Sequence, residues 1–162
     1  MKEFTVVYEE NKILDELFHK LYDNYSQDII EKNILELLVE VGELANETRC
    51  FKYWSNKKTS SKEIIMDEYA DCFLMTLYFC NMVDIDMNEK FEKINEKNLV
   101  NQFKQLYKLV SQLDLDLDRD LIKNILSNLV NLGKLLDFTI KEIIDGSLLK
   151  ISRNKSRFET GF

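Results

Sequence analysis

An all-α fold is what this sequence predicts, and three observations predict it. The 162 residues include no proline and only four glycines, where average usage of roughly 5% would bring about eight prolines. That leaves little turn chemistry for a many-stranded β fold. Apolar residues recur at helical spacing, beginning with Val7, Leu14, Leu17, Phe18 and Leu21. The composition, 45% apolar and 31% charged, is that of an ordinary folded chain, and its length suits one domain over 1–162 with its own core.

The pattern predicts five or six helices in a bundle. The first spans about Phe4 to Tyr25 and the second about Asp28 to Phe51. Between the second and third lies KYWSNKKTSSK, 52–62, a basic, aromatic and Ser-rich loop. The third helix spans about Lys62 to Val83, with Ser60 or Ser61 as N-cap and Glu63 near its third position. DIDMN, 84–88, reads as a turn, and a fourth helix covers about 88–113. DLDLDRD, 114–120, is an acidic break whose Asp118 or Asp120 caps a fifth helix running to about Asp145, with Gly146 as its terminating glycine. The tail 147–162 turns basic, with Lys150, Arg153, Lys155 and Arg157 against Glu159. Apolar faces left over on 121–144 suit either a dimer contact or the chain's own core.

Several function classes are excluded. Four glycines leave no G-x-x-x-x-G-K-[ST], no G-x-G-x-x-G and no G-x-S-x-G. The lone His19 rules against a Ser-His-Asp triad or a His-rich zinc site. A net charge of −7 and a pI near 4.9 argue against nucleic-acid binding. An acidic protein that handles an anion needs metal cations or a local basic patch. Cys50, Cys72 and Cys80 are scattered and read as reduced, mostly buried thiols. The N-terminus has no signal-like apolar stretch, and 72–80 is too short to span a bilayer. A cytoplasmic protein without a membrane partner is the expectation.

Two helices carry carboxylates in informative places. In 34–47, Glu36, Glu40, Glu43 and Glu47 fall within about 60° of one another at roughly 100° per residue. Leu37, Leu38, Val41, Leu44 and Ala45 gather elsewhere. No Lys or Arg is interleaved, so the stripe is mildly self-repelling; it is either a solvated face or a cation site. The segment 64–80 is apolar on every side, the mark of a buried helix, yet Glu68 and Asp71 sit inside it at i,i+3. Buried carboxylates must be paired, protonated or metal-bound. Either a cation from another element meets them, or a metal does. Glu40-x-x-Glu43 and Glu68-x-x-Asp71 facing one point would make a hard, all-oxygen site suited to Mg²⁺ or Mn²⁺, the ions that accompany polyphosphate cleavage. Lys52, Lys57, Lys58 and the basic tail could add phosphate charge.

E-x-x-E followed about two dozen residues later by E-x-x-D resembles the metal motif of the MazG-like all-α NTP pyrophosphatases. The longer string LLVEVGELANETRCFKYWS, 37–55, is similar to one branch, the dimeric all-α dUTPases of bacteria and phages. Asn154, Arg157, Gly161 and Phe162 keep the spacing of that branch's N-x-x-R-x-x-x-G-Y element, with Lys150 where a basic residue precedes it. No motif is matched in 84–147.

The resemblance implies that Glu40, Glu43, Glu68 and Asp71 hold Mg²⁺, two or more ions, with Mn²⁺ as a substitute. It implies that Glu43 orients or deprotonates the attacking water. Lys150, Asn154 and Arg157 would contact phosphates, and Lys52 and Trp54 would line the nucleotide site, with Phe162 stacking. Glu47 would lie near the site and Glu36 outside it. The implied activity is cleavage of dUTP, and of dUDP, to dUMP by a homodimer. Where the family usually reads uracil with Gln on the first helix, this chain has Asn11, with Asp15 as its companion. The family's final Tyr is Phe162, and the His often found after E-x-x-D is absent. Asn11 keeps open a relative acting on another nucleotide, such as dCTP. The unmatched 84–147 keeps open a non-catalytic helical binding module.

Overall fold

Short polar side chains mark three helix starts. Ser61 Oγ accepts from the Ile64 amide at 3.5 Å, Asn98 Oδ1 from Asn101 at 3.0 Å and Asp118 Oδ1 from Leu121 at 2.9 Å. In a computed structural model that describes residues 1–22 and 26–160, with backbone alone at 159 and 160, six α-helices and no strand are found among the described residues. They are α1 (Thr5–Tyr22), α2 (Gln27–Thr48), α3 (Lys62–Met82), α4 (Leu99–Val110), α5 (Arg119–Leu135) and α6 (Ile140–Thr160). A 3-10 turn, Lys2–Phe4, leads into α1. Tyr25, expected to end the first helix, lies outside the described residues.

The all-round apolar helix is central, as its composition requires. α3 packs against α1, α2, α5 and α6, and Tyr69, Ala70, Cys72, Phe73, Leu77 and Cys80 are sealed from solvent. From α2 the stripe Leu37, Val41, Leu44 and Ala45 is buried against it. The apolar face of 121–144 also closes the chain's own core: Ile122, Ile125, Leu126, Leu129 and Leu132 are buried. Between α4 and α5 runs a buried amide ladder. Gln102 Nε2 donates to Asn128 Oδ1 at 2.8 Å, and Asn131 Nδ2 donates to Gln102 Oε1 at 2.5 Å. The three cysteines form no disulfide, and Cys72 and Cys80 are buried.

Three sequence expectations are corrected. The fourth helix begins at Leu99, not near 88. Residues 84–98 are instead tied down by α5: Arg119 pairs with Glu89 and donates to the carbonyls of Val83 (3.3 Å) and Asp84 (2.9 Å), while Lys123 reaches Glu89 at 2.9 Å. These bonds draw Glu89 down to about 2. The fifth helix does not reach 145. It stops at Leu135, Asp137 takes a left-handed φ of 58°, and α6 starts at Ile140. Gly146 therefore ends nothing; it lies inside α6, where a Cβ would come within 2.7 Å of Met66 Cγ and Sδ. The basic tail is part of a helix as far as Thr160.

Gly133 is the less forgiving contact, because its neighbour is a fixed ring and not a flexible methionine. A Cβ there would sit 2.8 Å from Tyr69 Oη and 2.9 Å from Ile143 Cδ1. Tyr69 is fully buried and its hydroxyl donates to the Leu129 carbonyl at 3.0 Å, so the ring cannot retreat. Alanine's better helix propensity adds about 1 kcal/mol, and overpacking costs about 1–3 kcal/mol. Gly133→Ala should lower the thermal midpoint by several degrees; a rise in Tm would show that α3 and α5 have room to part at this contact.

Candidate active site

α2 and α3 bring three carboxylates together. One oxygen each of Glu40, Glu68 and Asp71 lies within 4.8 Å of the others, and all three residues are half-buried. Burial, then the charges of Asp71, Glu43, Glu36 and Glu68, push Glu40 up to about 7. Glu68 is raised by burial and by Glu43 and Asp71. Asp71 is raised by burial, against the pull of a hydrogen bond from Lys150. Like charges held this close, half out of water, call for a cation. The donors are all oxygens, the set a hard divalent ion takes, so the residues present fit one.

One cation already touches the cluster. Lys150 of α6, 8% exposed, places Nζ 2.5 Å from Asp71 Oδ2 and 2.9 Å from Asp67 Oδ2. Arg153 Nη1 holds the other Asp67 oxygen at 2.8 Å. Asp71 and Asp67 together outweigh the burial of Lys150 and raise its pKa. The two readings of the buried α3 carboxylates therefore meet in one place: a lysine from another helix and a metal-ligand geometry share Asp71.

Beside the cluster a cleft of about 160 Å³ opens between α1, α2, α3 and α6. Glu36, Glu40 and Asp71 form its acidic side, Asn11, Asp15, Asn33 and Asn154 its other polar walls, and Phe18, Leu74, Met75, Tyr78 and Phe158 its apolar ones. Phe18 and Phe158 meet edge to face at 4.6 Å. At the α1 wall Asn11 Nδ2 donates to the Leu74 carbonyl at 3.2 Å and to Asp15 Oδ2 at 3.4 Å, and Asn81 Nδ2 donates to the same Oδ2 at 3.3 Å. Burial pushes Asp15 up to about 7 against the Asn81 bond. An anionic cation site next to a narrow, partly aromatic cleft is an arrangement for a nucleotide's phosphates and its planar base.

A family model described as dUTPase matches residues 3–162. The chain belongs to the dimeric all-α dUTPase family. It is accordingly an enzyme, a nucleoside triphosphate pyrophosphohydrolase of the dUTP diphosphatase kind. No curated protein matches the chain. Among the described residues, no helix is long and apolar enough to cross a membrane.

In this dUTPase the residues singled out by sequence are placed as follows. Glu40, Glu68 and Asp71 converge, while Glu43 stands one turn along α2, exposed and outside that trio, although its charge reaches Glu40 and Glu68. Asn11 and Asn154 line the cleft. Arg157 is near enough to act electrostatically on Asp71. Lys52 donates to Asn46 Oδ1 and lies over the Phe51 ring; Trp54, 66% exposed, meets Tyr53 and Phe51 by their edges. Neither Lys52 nor Trp54 is on the cleft wall. Glu47 accepts from Ser60 Oγ, which holds the end of the 49–61 loop. Gly161 and Phe162 lie outside the described residues.

Glu36, placed outside the site by the sequence pattern, is exposed and outside the metal-ligand trio, but it lines the neighbouring cleft, where partial desolvation and Asp71 raise its pKa. Asn33, Phe18 and Phe158 are cleft residues that the sequence pattern does not single out. Phe158 has a usable signal: it lies four residues after Asn154, on the same face once the tail is helical.

Proposed function

We propose that the protein hydrolyses dUTP, and dUDP as well, to dUMP, using Mg²⁺ held by Glu40, Glu68 and Asp71 with Glu43 at the edge. The observation that carries this is the shared wall: Glu40 and Asp71 belong both to the metal-ligand trio and to the cleft. A divalent ion there supplies the positive charge that a polyphosphate needs as it is cleaved. The chain's own groups do the rest. Glu43 accepts the proton of the attacking water, Lys150, Asn154 and Arg157 hold phosphate oxygens, and the base enters the cleft towards Asn11. Lys52 and Trp54, on the exposed loop, line the nucleotide site from outside the cleft, and the enzyme acts as a homodimer. Catalysis by positioning and charge neutralisation suits such a site.

The test is pyrophosphate release from dUTP, dTTP and dATP, and phosphate release from dUDP, each with Mg²⁺ and with EDTA. Cleavage of dUTP and dUDP that EDTA abolishes is expected, with dTTP and dATP left intact. Failure to cleave dUTP with Mg²⁺ would overturn the reading.

A further inference from the structure

We propose that Asp15 sets the base choice of this cleft and that its carboxylate admits the 4-amino edge of cytosine, so that the enzyme cleaves dCTP alongside dUTP. The inference rests on the nucleotide reading above and deepens it. With phosphates against Glu40 and Asp71, the base points to the opposite wall of the same cleft, which Asp15 helps to form. Asp15 is only 8% exposed, and among the described residues no Lys or Arg lines the cleft to neutralise it. A buried carboxylate in that position needs N–H donors.

Two donors are in place, and both end on one oxygen. Asn11 and Asn81 each donate to Oδ2, while Oδ1 takes no hydrogen bond among the described residues. Above its pKa of about 7, the pH range in which the substrates are to be compared, the group left for a ligand is thus a bare acceptor. Cytosine presents an amino donor at its 4-position and uracil a carbonyl acceptor, and a carboxylate is the side chain that accepts from that amino group. Uracil retains its ring N–H as a donor for the same oxygen, so both pyrimidines are served. An amide at this position would behave differently. The donors on Asn11 and Asn81 would keep its oxygen where Oδ2 now lies, which turns its NH₂ towards the base. A donor facing the cleft matches the uracil carbonyl and opposes the cytosine amino group.

The experiment compares kcat/KM for dCTP and dUTP in the wild type and in Asp15→Asn, with competitive inhibition by dCMP and dUMP as a readout of base binding without turnover. The wild type should cleave dCTP within about tenfold of dUTP, and Asp15→Asn should lower the dCTP/dUTP ratio by about tenfold or more, with dCMP weakened as an inhibitor and dUMP not. A wild type that cleaves dUTP and leaves dCTP untouched overturns the proposal whether or not the variant folds. A variant that loses both substrates in equal measure also overturns it. A wild type that cleaves no nucleotide fails the broader reading, and this one with it.

Discussion

Glu40→Gln should all but stop turnover and yet make the metal-free protein harder to unfold. Glu40 sits among Asp71, Glu43, Glu36 and Glu68, and burial with those charges raises its pKa from 4.5 to about 7. The sign follows from linkage: a carboxylate raised on folding binds its proton more tightly in the native state, so its ionisation costs stability. The cost is absent below pH 4.5, grows as pH rises from 4.5 to about 7 and is constant above that. Glutamine keeps the shape and removes the charge. At pH 8 without metal, the variant's Tm should exceed the wild type's by a few degrees; at pH 4 the two should coincide. Mg²⁺ binding to the native state should raise the wild-type Tm, and the variant should gain little. Turnover of dUTP should fall by about a thousandfold, the scale of losing one group that balances developing charge. Near-full activity in the variant would mean that Glu40 has no share in the site, and a lower Tm at pH 8 that its charge is not a burden on the fold.

That a residue can be poor for the fold and needed for function is also why this site is legible in the sequence. Glu68 and Asp71 stand out because an otherwise apolar helix has no packing reason to hold them. Glu40 stands out because nothing between Glu36 and Glu47 relieves the repulsion. Placing these carboxylates at one point needs only two helices side by side. The parts that are not legible depend on tertiary bonds. Residues 88–98 have ordinary helical composition, and it is Arg119 and Lys123, some thirty residues on, that hold Glu89 and tie the segment to α5 as irregular backbone. Gly146 has the look of a helix end, but the residue that makes a glycine necessary there is Met66, eighty positions earlier. That Glu36 also borders the cleft is not legible on a helical wheel, because the wheel does not say where α1 and α6 lie, and those helices supply other walls of the cleft. The unmatched stretch 84–147 carries no site in the cleft; its buried leucines and isoleucines and the Gln102–Asn128–Asn131 ladder complete the core behind α3.

Lys150→Met should separate two roles of one charge. In the metal-free protein, Lys150 is the cation on Asp71 and Asp67, and its hydrogen bond and charge are what hold the pKa of Asp71 down against burial. Methionine fills the same volume without charge. Breaking a fully buried pair from one side costs about 3–5 kcal/mol; Asp67 and Asp71 keep side-chain exposures of 40% and 22%, so screening should reduce this to about 1–2 kcal/mol. A lower Tm in EDTA is therefore expected. A divalent ion and Lys150 draw on the same Asp71 carboxylate, so removing the lysine removes a competitor. The Mg²⁺ concentration for half-maximal stabilisation should fall. Turnover should move the other way, down by about a hundredfold, because the phosphates lose a fixed cation next to the metal. Tighter metal binding with slower chemistry is a pair of changes that a merely structural lysine would not produce, since loss of structure weakens both. If Lys150→Met needs more Mg²⁺ than the wild type, the lysine helps to build the metal site, and its pairing with Asp71 persists when the ion is bound.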